Sequence, residues 1–202
     1  MEIDVAKTPV VDVYRLLVGL VTPRPIAWVS TLSRNGAVNL APFSFFNMFG
    51  VNPPVVVFSP TLTRDGKKKD TLLNIEERGE FVINASTAEN AERINQTSRS
   101  LPYGESELEL VSMPTIPSAR VAPPRLAGVP FALECRLLQI LPIGSGAISA
   151  NLVIGEVLTI VVDEHVLDER GEPDPRKIHA IARLGGDYWC QTSALFQLPR
   201  PT

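Results

Sequence analysis

Pro23 and Pro25 forbid helix just where the next residues, Ile26 to Thr31, turn β-branched and aromatic, so the chain leaves this point as an extended strand. A tight-turn signal follows at once. In Ser33-Arg34-Asn35-Gly36 the Asn-Gly pair supplies the positive φ angles of a hairpin, and Val38 to Pro42 returns as the second strand. After the aromatic stretch Phe43 to Phe49, Pro53-Pro54 opens Val55 to Ser59, a short apolar run that reads as a buried strand.

Helical signals are few and short. Val10, Val13, Tyr14 and Leu17 fall on one helical face within Val10 to Val18. Lys69 to Arg78 reads as a helix that Asp70 or Thr71 caps and Gly79 ends, followed by a strand from Phe81 to Asn84. Thr87 to Gln96 is a further helical candidate. The polar, proline-bearing stretch from Thr97 to Pro130 reads as loop with one short strand at most. Phe131 to Leu141 and Asn151 to Asp163 form a long hairpin around Gly144-Ser145-Gly146, and the tail from Glu169 to Thr202, including Arg183 to Tyr188, reads as loop. Six or seven strands without regular βαβ alternation predict a mainly β fold, a barrel with a few short peripheral helices, formed by residues 1–202 as a single domain.

Composition narrows the function classes. A net charge of -3 gives no global attraction to nucleic acid or to an anionic membrane. Cys135 and Cys190 belong to no CxxC pair, which suits two free thiols in a reducing cytoplasm and suggests neither zinc nor a disulfide framework. His165 and His179 stand at no metal-ligand spacing, and neither a GxSxG elbow nor a GxGxxG strand-to-helix turn is present.

Two segments could carry chemistry. Pro23 to Asn47 holds many small polar groups and few ionisable ones, which suits a slot for a neutral planar ring; an ordinary packed hairpin core explains it as well, and the residues alone favour the core. Ser59 to Thr71 brings hydroxyls, Arg64 and the lysines 67–69 to the start of a helix, where free amides and the helix dipole favour a phosphate. A solvated basic loop is an equally good reading of that segment.

PRPIAWVST, NLAPFSFFN, KKDTLLNIEERGEFVIN and RLGGDYW occur in that order. On these motifs the chain, from about Leu17 to Tyr188, resembles the flavin reductase-like, FMN-binding split-barrel family in its flavoredoxin-like branch. The KDT and APFS segments set it apart from split barrels resembling pyridoxamine phosphate oxidases. The resemblance implies a homodimeric split β-barrel with Greek-key connections and FMN in a groove near the subunit interface. Ser30, Thr31, Ala41, Pro42, Phe43 and Ser44 would line the flavin ring and ribityl chain. Ser59, Lys69 and Thr71, with Arg64 beside them, would hold the phosphate, and Arg183 and His179 would approach the cofactor. The implied activity is an NAD(P)H:flavin reductase in which NADH or NADPH delivers hydride to bound FMN without a catalytic side chain, a monooxygenase or another acceptor taking the electrons. The alternative is a non-enzymatic FMN carrier or electron-transfer flavoprotein. Trp28, Phe45, Phe46 and Phe49 read as core or dimer packing, Arg24 as a surface cap or ion pair, and Gly185-Gly186 as a turn.

Overall fold

A computed structural model describes residues 1–201; Thr202, the last residue of the expected tail and single domain, lies outside them. The chain opens with α1 (Val10–Leu20), then β1 (Arg24–Pro25), β2 (Ala27–Leu32), β3 (Val38–Phe43), β4 (Phe46–Val51), β5 (Pro54–Phe58), α2 (Asp70–Arg78) and β6 (Glu80–Asn84). There follow α3 (Ala91–Gln96), α4 (Glu107–Val111), β7 (Thr115–Ile116), β8 (Arg125–Leu126), β9 (Phe131–Ile143), β10 (Ala150–Val162), α5 (Pro175–Ile178), β11 (Ile181–Arg183) and β12 (Trp189–Gln191).

Seven strands form one sheet in the order β3-β2-β6-β9-β10-β5-β4, each neighbouring pair antiparallel. Its two edge strands, β3 and β4, are consecutive in the chain and joined only by Ser44-Phe45. Two linking residues span at most about 11 Å. A flat sheet of this size would hold its edges roughly 29 Å apart. The sheet therefore curls until its edges nearly meet, and because β3 and β4 do not pair with each other, the barrel is split along that seam. The β9–β10 hairpin fills the space between β6 and β5 that the chain passes over through α2, which is a Greek-key-type connection. Pro42 is tolerated in β3 because β3 is an edge strand.

Alternation along β2 supplies both faces. Ala27 and Val29 point into the barrel with Phe43, Phe58, Phe81 and Ile83, while Ile26 and Trp28 point outward onto a second cluster with Leu40, Ile94 and Leu126. Trp28 is fully buried, as core packing requires, and its Nε1 donates to Thr97 Oγ1 at 2.9 Å.

Several elements depart from the sequence expectations. β4 grows out of the aromatic stretch Phe43 to Phe49 because β5 supplies a partner for it. The N-cap of α2 is Lys69, whose side chain makes no capping bond, rather than Asp70 or Thr71. The expected helix Thr87 to Gln96 starts as a 3-10 turn at Ala88–Asn90 and becomes α-helical only from Ala91. The long loop contains α4, β7 and β8, and the tail contains α5, β11 and β12; these are three- to five-residue or shorter elements held by distant contacts that no local pattern reports. α1 forms, yet Val10, Tyr14 and Leu17 on its apolar face are exposed and only Val18 is buried.

Buried charges tie the irregular segments down. Glu134 on β9, fully buried, accepts from the backbone N–H groups of Ala119 and Arg120 at 2.9 and 2.7 Å, which pins the long loop to the barrel. Arg24 is buried rather than on the surface. Its guanidinium donates to the carbonyls of Val18 and Val21 at the end of α1 and to Leu184 at 2.9 Å, and desolvation holds its pKa below the usual value. Gly185 makes more than a turn, because a Cβ there would lie 2.9 Å from the Cα of Gly19.

One backbone position tests the barrel core directly. A Cβ on Gly155 in β10 would fall 2.3 Å from Cζ of Phe81, a fully buried ring packed edge-on against Phe58 at 5.4 Å. Gly155→Ala is expected to destabilise the fold by about 1–3 kcal/mol, read as a lower urea midpoint with unchanged slope, and Phe81→Leu in the same chain should recover part of the loss.

Candidate functional site

The seam between β3 and β4 is where the sheet edge leaves room, and a cavity of about 410 Å³ lies along it. Pro42, Phe43, Ser44 and Phe45 line it from the seam, Ser59, Thr61 and Lys69 from the segment between β5 and α2, and Arg183, Asp187 and Trp189 from the RLGG segment and β12. A second cavity of about 470 Å³ shares Pro42, Phe43, Lys69 and Ser98 with the first and extends to Asn39, Ala41, Thr71 and Glu107. A third, of about 480 Å³, carries Arg64 and meets the first at Tyr14, Thr61 and Lys69. Lys69 thus stands at the junction of one branched groove.

Of the residues singled out in the sequence, the groove gathers Ala41, Pro42, Phe43, Ser44, Ser59, Lys69, Thr71 and Arg183, with Arg64 in the third branch. It does not gather Ser30, Thr31 or His179. Neighbouring residues on a strand face opposite sides, so Ser30 and Thr31 could not both look into one cavity. Both are fully buried: Ser30 Oγ donates to the Pro124 carbonyl at 2.6 Å, and Thr31 Oγ1 donates to Asn39 Oδ1 at 3.2 Å beneath the groove. His179 is an exposed residue with φ of 51° after α5, its ring 3.5 Å from Gln191 Nε2, and it lines none of the three cavities.

The three lysines separate cleanly. Lys67 pairs with Asp65 at 2.7 Å and Lys68 with Glu76 at 2.6 Å. Lys69 has no carboxylate partner among the described residues; its ammonium lies 5.5 Å from the centroid of the Phe43 ring. It is open to the groove yet flanked by enough protein that desolvation lowers its pKa. The free N–H groups of the first turn of α2 begin beside it. Ser59 adds a second unmet demand, since its Oγ is buried without a hydrogen-bond partner.

Also lining the groove, Arg183 stacks on Trp189 with its guanidinium 4.7 Å from the ring centroid, and it donates to the Gly186 carbonyl at 2.7 Å. Phe45, expected in packing, is 40% exposed and forms part of the wall. Tyr14, Asn95 and Ser98 also reach the groove and carried no chemical signal of their own, while Asp187 reaches it from within the RLGGDYW motif. Trp189 follows directly on the RLGGDY run and was legible as part of that motif. Glu107, from α4 in the unassigned long loop, is nine-tenths buried at the wall of the second cavity. Desolvation raises its pKa, against the opposing hydrogen bonds from Leu40 and Asn39, and the charge of Asp70 adds to the rise.

The flavin reductase like domain family matches residues 19–180, and the chain belongs to that family. A protein of Halalkalibacterium halodurans of undescribed function is 39% identical over 94% of this chain and 91% of its own. Among solved structures, nitrilotriacetate monooxygenase component B from Bacillus cereus is 32% identical, with a TM-score of 0.92 and 98% of each chain covered. The 2-nitrobenzoate 2-nitroreductase of Pseudomonas fluorescens is also 32% identical, with a TM-score of 0.89 over 100% of this chain and 97% of that one. The curled, seam-split sheet is thus the split barrel of flavin reductase-like proteins.

Because the Ser59 hydroxyl already lacks a partner, Ser59→Ala removes an unmet hydrogen bond from the ligand-free protein. Its thermal midpoint should stay level or rise, by a free energy of about 1 kcal/mol at most. A drop comparable to losing a made hydrogen bond would show that the hydroxyl is satisfied.

Proposed function

We propose that this protein is an FMN-dependent oxidoreductase, an NAD(P)H:flavin reductase. The observation that carries the reading is the groove junction, where one unpaired ammonium, the start of α2 and a buried unpartnered hydroxyl meet beside the rings of Pro42, Phe43 and Phe45. That donor set fits a flavin mononucleotide: Phe43, Pro42 and Phe45 offer the flat apolar wall, and Ser44 and Ser59 offer hydroxyls to the ring edge or ribityl chain. Lys69 and the first turn of α2, which Thr71 joins through its backbone N–H, would hold the phosphate, and Arg64 would add charge from the third branch. When bound, FMN supplies the hydride chemistry, so the chain itself has to bind, orient and exclude water rather than move a proton. Arg183 stacked on Trp189 gives the groove a cationic, planar pair suited to seating the nicotinamide nucleotide.

The reading draws on the relatives as well, one of which is by its name a monooxygenase component and another a nitroreductase. A monooxygenase or another acceptor as recipient of the electrons follows from that likeness. An FMN carrier is the second reading. What favours it is the position of His179, which was expected to approach the cofactor and, lying off the groove, is not there to meet a nicotinamide.

A homodimer belongs to the same reading. Val10, Tyr14 and Leu17 on α1 and Met48, Phe49 and Val51 on β4 expose apolar area that a second copy would cover, and Tyr14 brings that surface to the rim of the groove. Cys135 and Cys190 are both free, in keeping with a reducing cytoplasm, and no helix among the described residues is long and apolar enough to cross a membrane.

Three measurements test this. Lys69→Ala should weaken FMN by about tenfold to a hundredfold and leave riboflavin within a factor of about two, because only FMN carries the phosphate; equal losses would move the phosphate elsewhere. Anaerobic mixing of the FMN-loaded protein with NADH and with NADPH should bleach the visible flavin band with at least one of them, and bleaching with neither would leave the carrier reading. Light scattering should give a dimer that Leu17→Asp or Phe49→Asp splits into monomers, since either buries a carboxylate without a partner.

A further inference from the structure

α1 rests lightly on the barrel, since of its eleven residues only Val18 is buried. Its end is nevertheless held at two points, and both grip the same hairpin. In that hairpin β11 and β12 pair Arg183 with Trp189. The turn between them is closed by the Leu184 N–H on the Tyr188 carbonyl at 3.0 Å and the Tyr188 N–H on the Gly185 carbonyl at 3.2 Å. Arg183, Asp187 and Trp189 line the groove from the hairpin, and Tyr14 lines it from α1.

Arg24 makes the first point of attachment. α1 stops at Leu20, shortly before Pro23, and its last carbonyls have no donor within the helix. The buried Arg24 side chain supplies one: Nη1 donates to the carbonyls of Val18 and Val21, the latter at 2.9 Å, while Nη2 donates to the Leu184 carbonyl at 2.9 Å. One planar fork thus joins the helix end to the residue after Arg183, and β1 pairs Arg24 with Arg183 itself. The second point is Gly185, where a Cβ would lie 2.9 Å from the Cα of Gly19 and 3.5 Å from its nitrogen. Ser59, Lys69 and Thr71 stand apart from both, for none of the Arg24 hydrogen bonds reaches them.

We propose that Arg24, which lines none of the three branches of the groove, is a positioning residue for its nucleotide side: by tying Leu184 to the end of α1 it holds Arg183, Trp189 and Tyr14 in the arrangement that receives the nicotinamide nucleotide. This rests on the reductase reading above and divides the groove into a flavin-phosphate end at Lys69 and a reductant end that Arg24 keeps in place.

Lysine is the informative replacement at position 24. It keeps a positive charge at the C-terminus of α1, but a single ammonium on a flexible stem lacks the fork that spans from the helix to Leu184.

The test compares wild type, Arg24→Lys, Arg183→Ala and the double variant in the FMN-loaded full chain, by steady-state kinetics with NADH and NADPH, FMN titration, and amide hydrogen exchange read by mass spectrometry. Arg24→Lys should raise the KM for the nucleotide by about tenfold, with kcat and the FMN dissociation constant each within about twofold. In the Arg183→Ala background the same substitution should add nothing, because Arg24 acts through the hairpin. Exchange should quicken at residues 184–190 and stay as it was in β9 and β10. Equal losses for nucleotide and FMN, effects of the two substitutions that simply add, or exchange that quickens throughout the sheet would overturn the proposal, leaving Arg24 a general stabiliser of the fold. If Arg24→Lys does not fold, Gly185→Ala, which pushes the hairpin off α1 from the other point, decides by the same KM split and the same local exchange. Wild type reduced by neither nucleotide sinks the reductase reading and this proposal with it, whereas wild type reduced normally with no split in the variants sinks this proposal only.

Discussion

A seven-stranded sheet whose two edge strands are consecutive in the chain, with two residues between them, has to curl, and the site grows from that short link. The curl encloses Phe43, Phe58 and Phe81 as a continuous interior, with ring centroids 5.2 and 5.4 Å apart along the series. It also brings Ser44 and Phe45, which pair with no neighbouring strand as part of the sheet, to the surface beside Ser59 at the end of β5. Ser59 N–H donates to the Phe45 carbonyl at 2.9 Å, so the backbone of the seam is partly closed, and the Ser59 hydroxyl is left over. A groove with an unmet polar group at its floor is the geometric cost of joining two sheet edges by so short a link.

Around that groove, charges are sorted by whether they find a partner. Salt-bridged Lys67 and Lys68 are solvated pairs of the kind that contribute little to stability, whereas Lys69 has only an aromatic face beside it. The fully buried acid of the barrel, Glu134, is chelated by backbone amides of a loop, and Arg24 by backbone carbonyls at the end of α1. The Glu134 contacts hold the long loop in place, and the contact from Arg24 to Leu184, 160 residues away, holds the RLGG segment against α1. Removing one partner of such a buried group leaves a charge without compensation, which is why the loops are as well placed as the strands they connect.

Much of the fold was legible because it is local. The prolines at 23 and 25, the Asn35-Gly36 turn, the left-handed Gly79 with φ of 69° that ends α2, and the long apolar runs of β9 and β10 each act within a few residues of themselves. β4 was not legible, since its sequence has no alternation and it becomes a strand only through β5. Nor were α4, α5 and the strands of two or three residues, whose hydrogen bonds are made with distant segments. Among site residues the motif-borne run Ala41 to Ser44 and the pair Ser59 and Lys69 lie on the groove, while Ser30 and Thr31, taken together as neighbours, face two sides of one strand.

By itself the sequence determined the strand-rich class, the first hairpin, the end of α2 and the placing of a basic segment ahead of that helix, because turn chemistry and periodicity are short-range. Only the tertiary structure decided which of three consecutive lysines stays unpaired, that a glutamate from an apparently featureless loop reaches Asn39, and that Trp189 and Phe43 line one groove. Those outcomes depend on where the sheet closes and which partners arrive there, and no local pattern carries that information.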